Sequence, residues 1–116
     1  DEKTAIAVAQ MIAKKWPENI PPPLVTSFSA KALVAAKKEN PVLMIGMLFR
    51  ELPPNWEHIA KGVDAITIHL SKKHISKEII EAVNQKGYPV FVYTEDDPEK
   101  IKQLYGMGVF GIFSNF

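Results

Sequence analysis

Among the side chains of this sequence with chemical potential, His69 has a suggestive place, at the end of the apolar run Ile66-Thr67-Ile68-His69. A histidine facing a ligand mouth there can serve as general acid, general base or phosphate ligand, because its pKa lies near neutrality. The same position equally suits a histidine satisfied by neighbouring loop backbone. Tyr93-Thr94 closes the run Val90-Phe91-Val92-Tyr93-Thr94. An aromatic ring at such a place can line the apolar side of a ligand while its hydroxyl donates; the alternative is packing against the adjacent strand. Ser27-Phe28 offers a hydroxyl and an aromatic wall, or a satisfied loop and a core filler. No Gly-x-Ser-x-Gly elbow surrounds Ser27, so a nucleophilic serine is not indicated. Arg50-Glu51 and Ser114-Asn115 complete the polar groups that follow apolar runs.

Metal and nucleotide chemistry find little support. Glu95-Asp96-Asp97 has the composition of a hard-cation site. Asp97 before Pro98, however, reads as a helix N-cap, and divalent sites draw ligands from separate elements. His58 and His74 share no metal-ligand spacing with each other or with His69. Lys72-Lys73-His74 reads as a solvated basic loop beside His69, hospitable to a phosphate visitor. Neither a Gly-x-Gly-x-x-Gly nor a Gly-x-x-x-x-Gly-Lys loop is present. No pair of carboxylates stands on adjacent strand ends for acid–base work. The residues alone assign no catalysis to this chain.

The elements that must position these groups alternate between two periods. Ala5, Val8, Ala9, Ile12 and Trp16 recur at spacings of three and four, which predicts a helix from Glu2 to Trp16. Pro17 and Pro21-Pro22-Pro23 end it, because proline lacks a donor and clashes with the preceding turn. Leu24–Phe28 predicts a strand, and Ser29 caps a helix through Glu39. Val42–Phe49 predicts a second strand and Trp56–Ala60, closed by Gly62, a brief helix. Ala65–His69 follows as a third strand, with a helix capped by Ser76 and ended at Gly87. Pro89–Thr94, a helix capped by Asp97, and Phe110–Phe113 complete the pattern. These strands are continuous apolar runs, as expected when both faces are buried, and strand–helix–strand units imply parallel pairing. The fold class is therefore α/β. Open doubly wound sheet and closed barrel share the pattern, and in both, ligands gather at the carboxyl ends of the strands.

The chain has 116 residues, 47% hydrophobic and 23% charged, which fits a single globular region spanning 1–116. Its formal charge of +1 provides no global field for nucleic acid or for an anionic membrane surface. With no cysteine, disulfide scaffolds, thiolate metal sites and cysteine nucleophiles are excluded. No apolar run approaches a membrane span, and Asp1-Glu2 does not start a signal peptide; a cytoplasmic setting is expected. The pattern begins in a helix and stops directly after a strand, so an incomplete sheet is expected.

Four segments carry a family resemblance. Pro22-Pro23-Leu24-Val25-Thr26-Ser27-Phe28-Ser29 resembles the Ser-Phe strand of glycerophosphodiester phosphodiesterases. Ile68-His69-Leu70 with Lys73-His74-Ile75 is similar to their His-x-Asn-His segment, with Ser71 in place of the asparagine and two extra residues before His74. Val92-Tyr93-Thr94-Glu95-Asp96-Asp97-Pro98 is similar to their Val-Trp/Tyr-Thr strand. Gly108-Val109-Phe110-Gly111-Ile112-Phe113-Ser114-Asn115 resembles their closing strand, with Phe110 where Asp is usual. The match is collinear from Pro22 to Phe116.

The resemblance implies a TIM (β/α)8 barrel, of which this chain is the C-terminal part: about five parallel strands with their helices. It also implies hydrolysis of a glycerophosphodiester to an alcohol and glycerol 3-phosphate by the whole protein. Two histidines would act as acid and base there, and carboxylates would hold a divalent metal, Mg²⁺ or Ca²⁺. Those residues belong to earlier strands of the family and have no counterpart in this chain. It is therefore expected to be inactive alone, without catalytic residues or metal ligands, and to contribute Phe28, His69 and Tyr93 to the substrate side. It would need the N-terminal part of the barrel, or a second copy, across its open edges. The rival reading is a complete, non-enzymatic α/β binding or regulatory module. Such a module should blunt its outer strands with charge or proline, whereas Leu24–Phe28 and Phe110–Phe113 carry no charge.

Overall fold

The computed structural model describes residues 2–15 and 24–113. The expected helix stop at Trp16, Pro17 and Pro21–Pro23, and the pair Ser114-Asn115, lie outside these residues. The described elements run α1 (Glu2–Lys15), β1 (Leu24–Ser27), α2 (Ala30–Glu39), β2 (Met44–Phe49), α3 (Trp56–Gly62) and β3 (Ala65–Ser71). After a 3-10 turn at Lys72–His74 come α4 (Lys77–Gln85), β4 (Val90–Tyr93), α5 (Pro98–Gly106) and β5 (Gly111–Phe113).

Local chemistry explains the boundaries. The Ser29 hydroxyl accepts from the Ala32 amide, that of Ser76 from Ile79, and the Asp97 carboxylate from Glu99, so each satisfies an orphan donor of a first helical turn. Pro98 sits in the first turn of α5, where its missing N–H costs nothing. Gly87, with φ of 92°, takes the left-handed conformation just beyond α4. Each strand differs from expectation at one end or both, β2 and β3 by two residues. β2 begins at Met44, because Pro41 and Val42 form a turn that leaves Val42 66% exposed. β3 runs to Ser71, two residues beyond the expected end. Replacing Ser76 by alanine should lower the unfolding free energy by about 1 kcal/mol, read from the urea midpoint.

The five strands form one parallel sheet in the order β1-β2-β3-β4-β5. Each strand pairs with its predecessor, so the order never reverses as it does at the switch point of a doubly wound sheet. That separates the two architectures the sequence pattern leaves open, in favour of barrel-type winding. Alternation along the strands splits the sheet into two faces. Ile45, Met47, Phe49, Ile68, Leu70, Val90 and Val92 join Leu33, Ala36, Ala60, Val63, Ile80, Val83 and Leu104 in one buried core beneath the helices. The opposite face carries Thr26, Gly46, Leu48, Thr67, His69, Phe91, Tyr93 and Gly111, aligned by register as Gly46↔Thr67, Leu48↔His69 and His69↔Phe91. Among the described strands β1 and β5 lie at the edges, although neither carries the charge that blunts an exposed edge.

Candidate functional site at the carboxyl ends of the strands

Phe28, directly after β1, meets Tyr93, the last residue of β4, edge to face with ring centroids 6.0 Å apart. Two strands stand between β1 and β4, so in a flat sheet their backbones would lie about 14 Å apart, with side chains upright. The contact therefore reports a sheet curled around its inner face, as barrel closure requires. A second bond spans the curl: the Tyr93 hydroxyl donates to the Phe49 carbonyl at the end of β2, 3.2 Å away. Arg50, the next residue, lays its guanidinium over the Phe28 ring, 5.2 Å from the centroid. Phe28 is 48% exposed, Arg50 is exposed and Tyr93 half-buried. Burial pushes the Tyr93 hydroxyl pKa up, against the weaker downward pull of the Arg50 charge. The phenol is thus neutral and committed as a donor to backbone.

Phe28 and Tyr93 are brought together, and the sequence-predicted His69 does not join them at the rim. It is 0% exposed. Because β3 continues through Leu70 to Ser71, His69 lies a layer down inside the curl. Its Nε2 is 2.8 Å from the Thr67 hydroxyl, and its ring stacks on Phe91 at 5.0 Å and 14°. Burial lowers its pKa from 6.5 to about 4, so the imidazole is neutral at physiological pH. Two glycines make room for this layer. A Cβ on Gly46 would sit 2.5 Å from Thr67 Oγ1 and 2.6 Å from His69 Nε2, and one on Gly111 would sit 2.6 Å from the Phe91 ring.

The remaining polar candidates hold the loops together. Ser27 Oγ accepts from the Ser29 amide at 3.0 Å. Glu95 is buried, accepts from the Asp97 amide at 3.1 Å and pairs with Lys72 at 3.1 Å. The Asp97 amide and Lys72 together hold its carboxyl below the usual range. Asp97 is the cap of α5. Among the described residues no group of three or more His, Asp or Glu side chains is placed to hold a metal ion. A cavity of about 560 Å³ is lined by Val34, His58 and Ile59 on the helices, away from the strand ends where parallel barrels bind ligands. No described helix is long and apolar enough to cross a membrane.

Arg50 is the rim residue that sequence reasoning passed over. Its place after an apolar run was visible, but its stacking partner comes from another strand, which spacing along the chain does not reveal.

A barrel-ordered parallel sheet with an aromatic and cationic rim at its carboxyl end defines the class, and comparison narrows it to a family. Residues 2–116 match the glycerophosphoryl diester phosphodiesterase family, to which this chain belongs. It is 30% identical over 93 residues to a glycerophosphodiester phosphodiesterase of Caldanaerobacter subterraneus subsp. tengcongensis, covering 79% of this chain and 38% of that protein. Among solved structures it resembles an Oleispira antarctica phosphodiesterase in complex with the product sn-glycerol-3-phosphate, with a TM-score of 0.90 and 26% identity over 97% of this chain and 45% of that one. A Thermotoga maritima glycerophosphodiester phosphodiesterase shares the fold at a TM-score of 0.73 and 20% identity, covering 98% of this chain and 50% of that one. The chain spans half or less of the length of each of these relatives.

Proposed function

We propose that this chain forms the substrate-side wall of a cytoplasmic, metal-dependent glycerophosphodiester phosphodiesterase, which hydrolyses its substrate to an alcohol and glycerol 3-phosphate. The observation that carries this reading is the Phe28–Tyr93 rim on the concave side of the sheet, in a chain of this family. The product bound to the Oleispira relative supports the substrate class. The acid, the base and the carboxylates for Mg²⁺ or Ca²⁺ are assigned to the preceding strands of a complete barrel. The sheet edges at β1 and β5 are proposed to close against that N-terminal part, or against a second copy. Phe28 and Tyr93 supply apolar surface to the glycerol or alcohol moiety, and His69 supports that wall from the layer beneath.

Tyr93→Ala, made in the full-length enzyme, should raise KM roughly tenfold while leaving turnover measurable, because a ring lost from a rim weakens binding without removing a reacting group. The assay is hydrolysis of glycerophosphocholine. Abolished turnover in a folded variant would give Tyr93 a chemical role instead. A wild-type enzyme that cleaves no glycerophosphodiester would overturn the functional reading itself.

A further inference from the structure

We propose that Arg50 is an oxyanion receptor at the rim, a role that rests on the phosphodiesterase reading and specifies what its wall recognises. The guanidinium lies over Phe28, and none of the ion pairs among the described residues includes it. A cation–π contact uses the charge of the guanidinium and not its N–H groups, which stay suited to bidentate capture of a phosphate. Neighbouring groups are already engaged. The Tyr93 hydroxyl gives its proton to the Phe49 carbonyl, and Lys72, after β3, is taken up by Glu95.

The same contacts hold Arg50 in place. Phe49 carries the carbonyl of the peptide that joins it to Arg50, so the Tyr93 bond fixes the backbone from which the arginine projects. Phe28 fixes the side chain from the other flank, and itself meets Tyr93 edge to face. A guanidinium restrained in this way forfeits less rotamer freedom when an anion arrives. Tyr93 is thus a positioning residue for Arg50 as well as a wall. The ligand is a phosphate-class oxyanion, from either the scissile phosphodiester or a second phosphate on the alcohol.

The test compares wild type, Arg50→Gln and Arg50→Lys in the full-length enzyme. Three substrates are used: glycerophosphocholine, glycerophosphoglycerol and a glycerophosphodiester whose alcohol bears a phosphate monoester. Arg50→Gln should raise KM roughly tenfold or more, with kcat changed less than about threefold, since hydrogen bonds to charged groups carry effects of that size. A rise for all three substrates identifies the scissile phosphodiester as the source. A rise confined to the third identifies the second phosphate. Arg50→Lys should recover part of the loss, keeping the charge without the planar fork. Independently of turnover, calorimetry with inorganic phosphate should show a Kd weakened roughly tenfold in Arg50→Gln. Values of KM for every substrate and of phosphate Kd within about twofold of wild type would overturn the receptor. An inactive wild type whose phosphate binding still depends on Arg50 would sink the phosphodiesterase reading and leave the receptor standing.

Discussion

Replacing Gly46 with valine is expected to lower the unfolding free energy by roughly 3 kcal/mol, at the upper end of what overpacking a core costs. Even the first added carbon would sit 2.5 Å from Thr67 Oγ1 and 2.6 Å from His69 Nε2. Neither atom has an easy retreat. They contact one another at 2.8 Å, both side chains are buried, and the imidazole lies flat on Phe91. The methyl groups of valine add to this clash, so the Thr67–His69 pair must separate or the strands must part. Urea unfolding of the full-length protein is the measurement. The double variant Gly46→Ala/His69→Ala should be less destabilised than the sum of its single changes, because removing the ring vacates half of the contested space. An unchanged midpoint for Gly46→Val would mean that this inner layer has slack the packing does not suggest.

Acidification should remove up to roughly 3 kcal/mol of stability through His69 alone, the value of a pKa depressed from 6.5 to about 4. The sign follows from which state binds the proton more readily. An unfolded chain takes it up near pH 6.5, whereas the folded one resists until about pH 4, so protonation favours unfolding throughout that window. The contribution is whole above pH 6.5, declines as pH falls toward 4, and changes no further below. Thr67, Gly46 and Phe91 around the ring bring no opposing charge. Unfolding free energies measured from pH 7.5 to 4 should slope more steeply in wild type than in His69→Gln. The wild-type imidazole should titrate near pH 4 by NMR. A midpoint near 6.5 in the folded protein would contradict the burial.

Much of the architecture was legible because its causes are local. Ser29, Ser76 and Asp97 cap helices where their side chains satisfy free amides, and Gly87 sits where only a left-handed residue fits easily. The apolar runs of β2, β3 and β4 announce strands covered on both faces, and parallel pairing follows from the helices between them. Periodicity is silent on strand order, because that depends on which strands become neighbours; the barrel was legible instead in the four family-like segments, and the observed order agrees with it. At the site, Phe28 and Tyr93 could be placed at strand ends, and their meeting required only that the sheet curl. His69 was misplaced by depth. Leu70-Ser71 extends the strand, and that small extension moves a mouth residue into the interior. Arg50 went unweighed because its partner, Phe28, is 22 positions away along the chain.

The unbroken strand order also has a kinetic side. The first registered partners of successive strands, Leu24↔Met44, Ile45↔Ala65, Ile68↔Val90 and Phe91↔Gly111, are separated by only 20 to 22 residues. Contacts of such short span close small loops, and short loops are cheap in entropy and quick to form. Among the described strands, none of the four pairings must wait for a distant segment to be synthesised. As each strand leaves the ribosome it finds its partner already present, one helix back, so the sheet can grow by accretion at its newest edge during translation. The last edge exposed in this series is β5, and it stays reactive until something pairs with it.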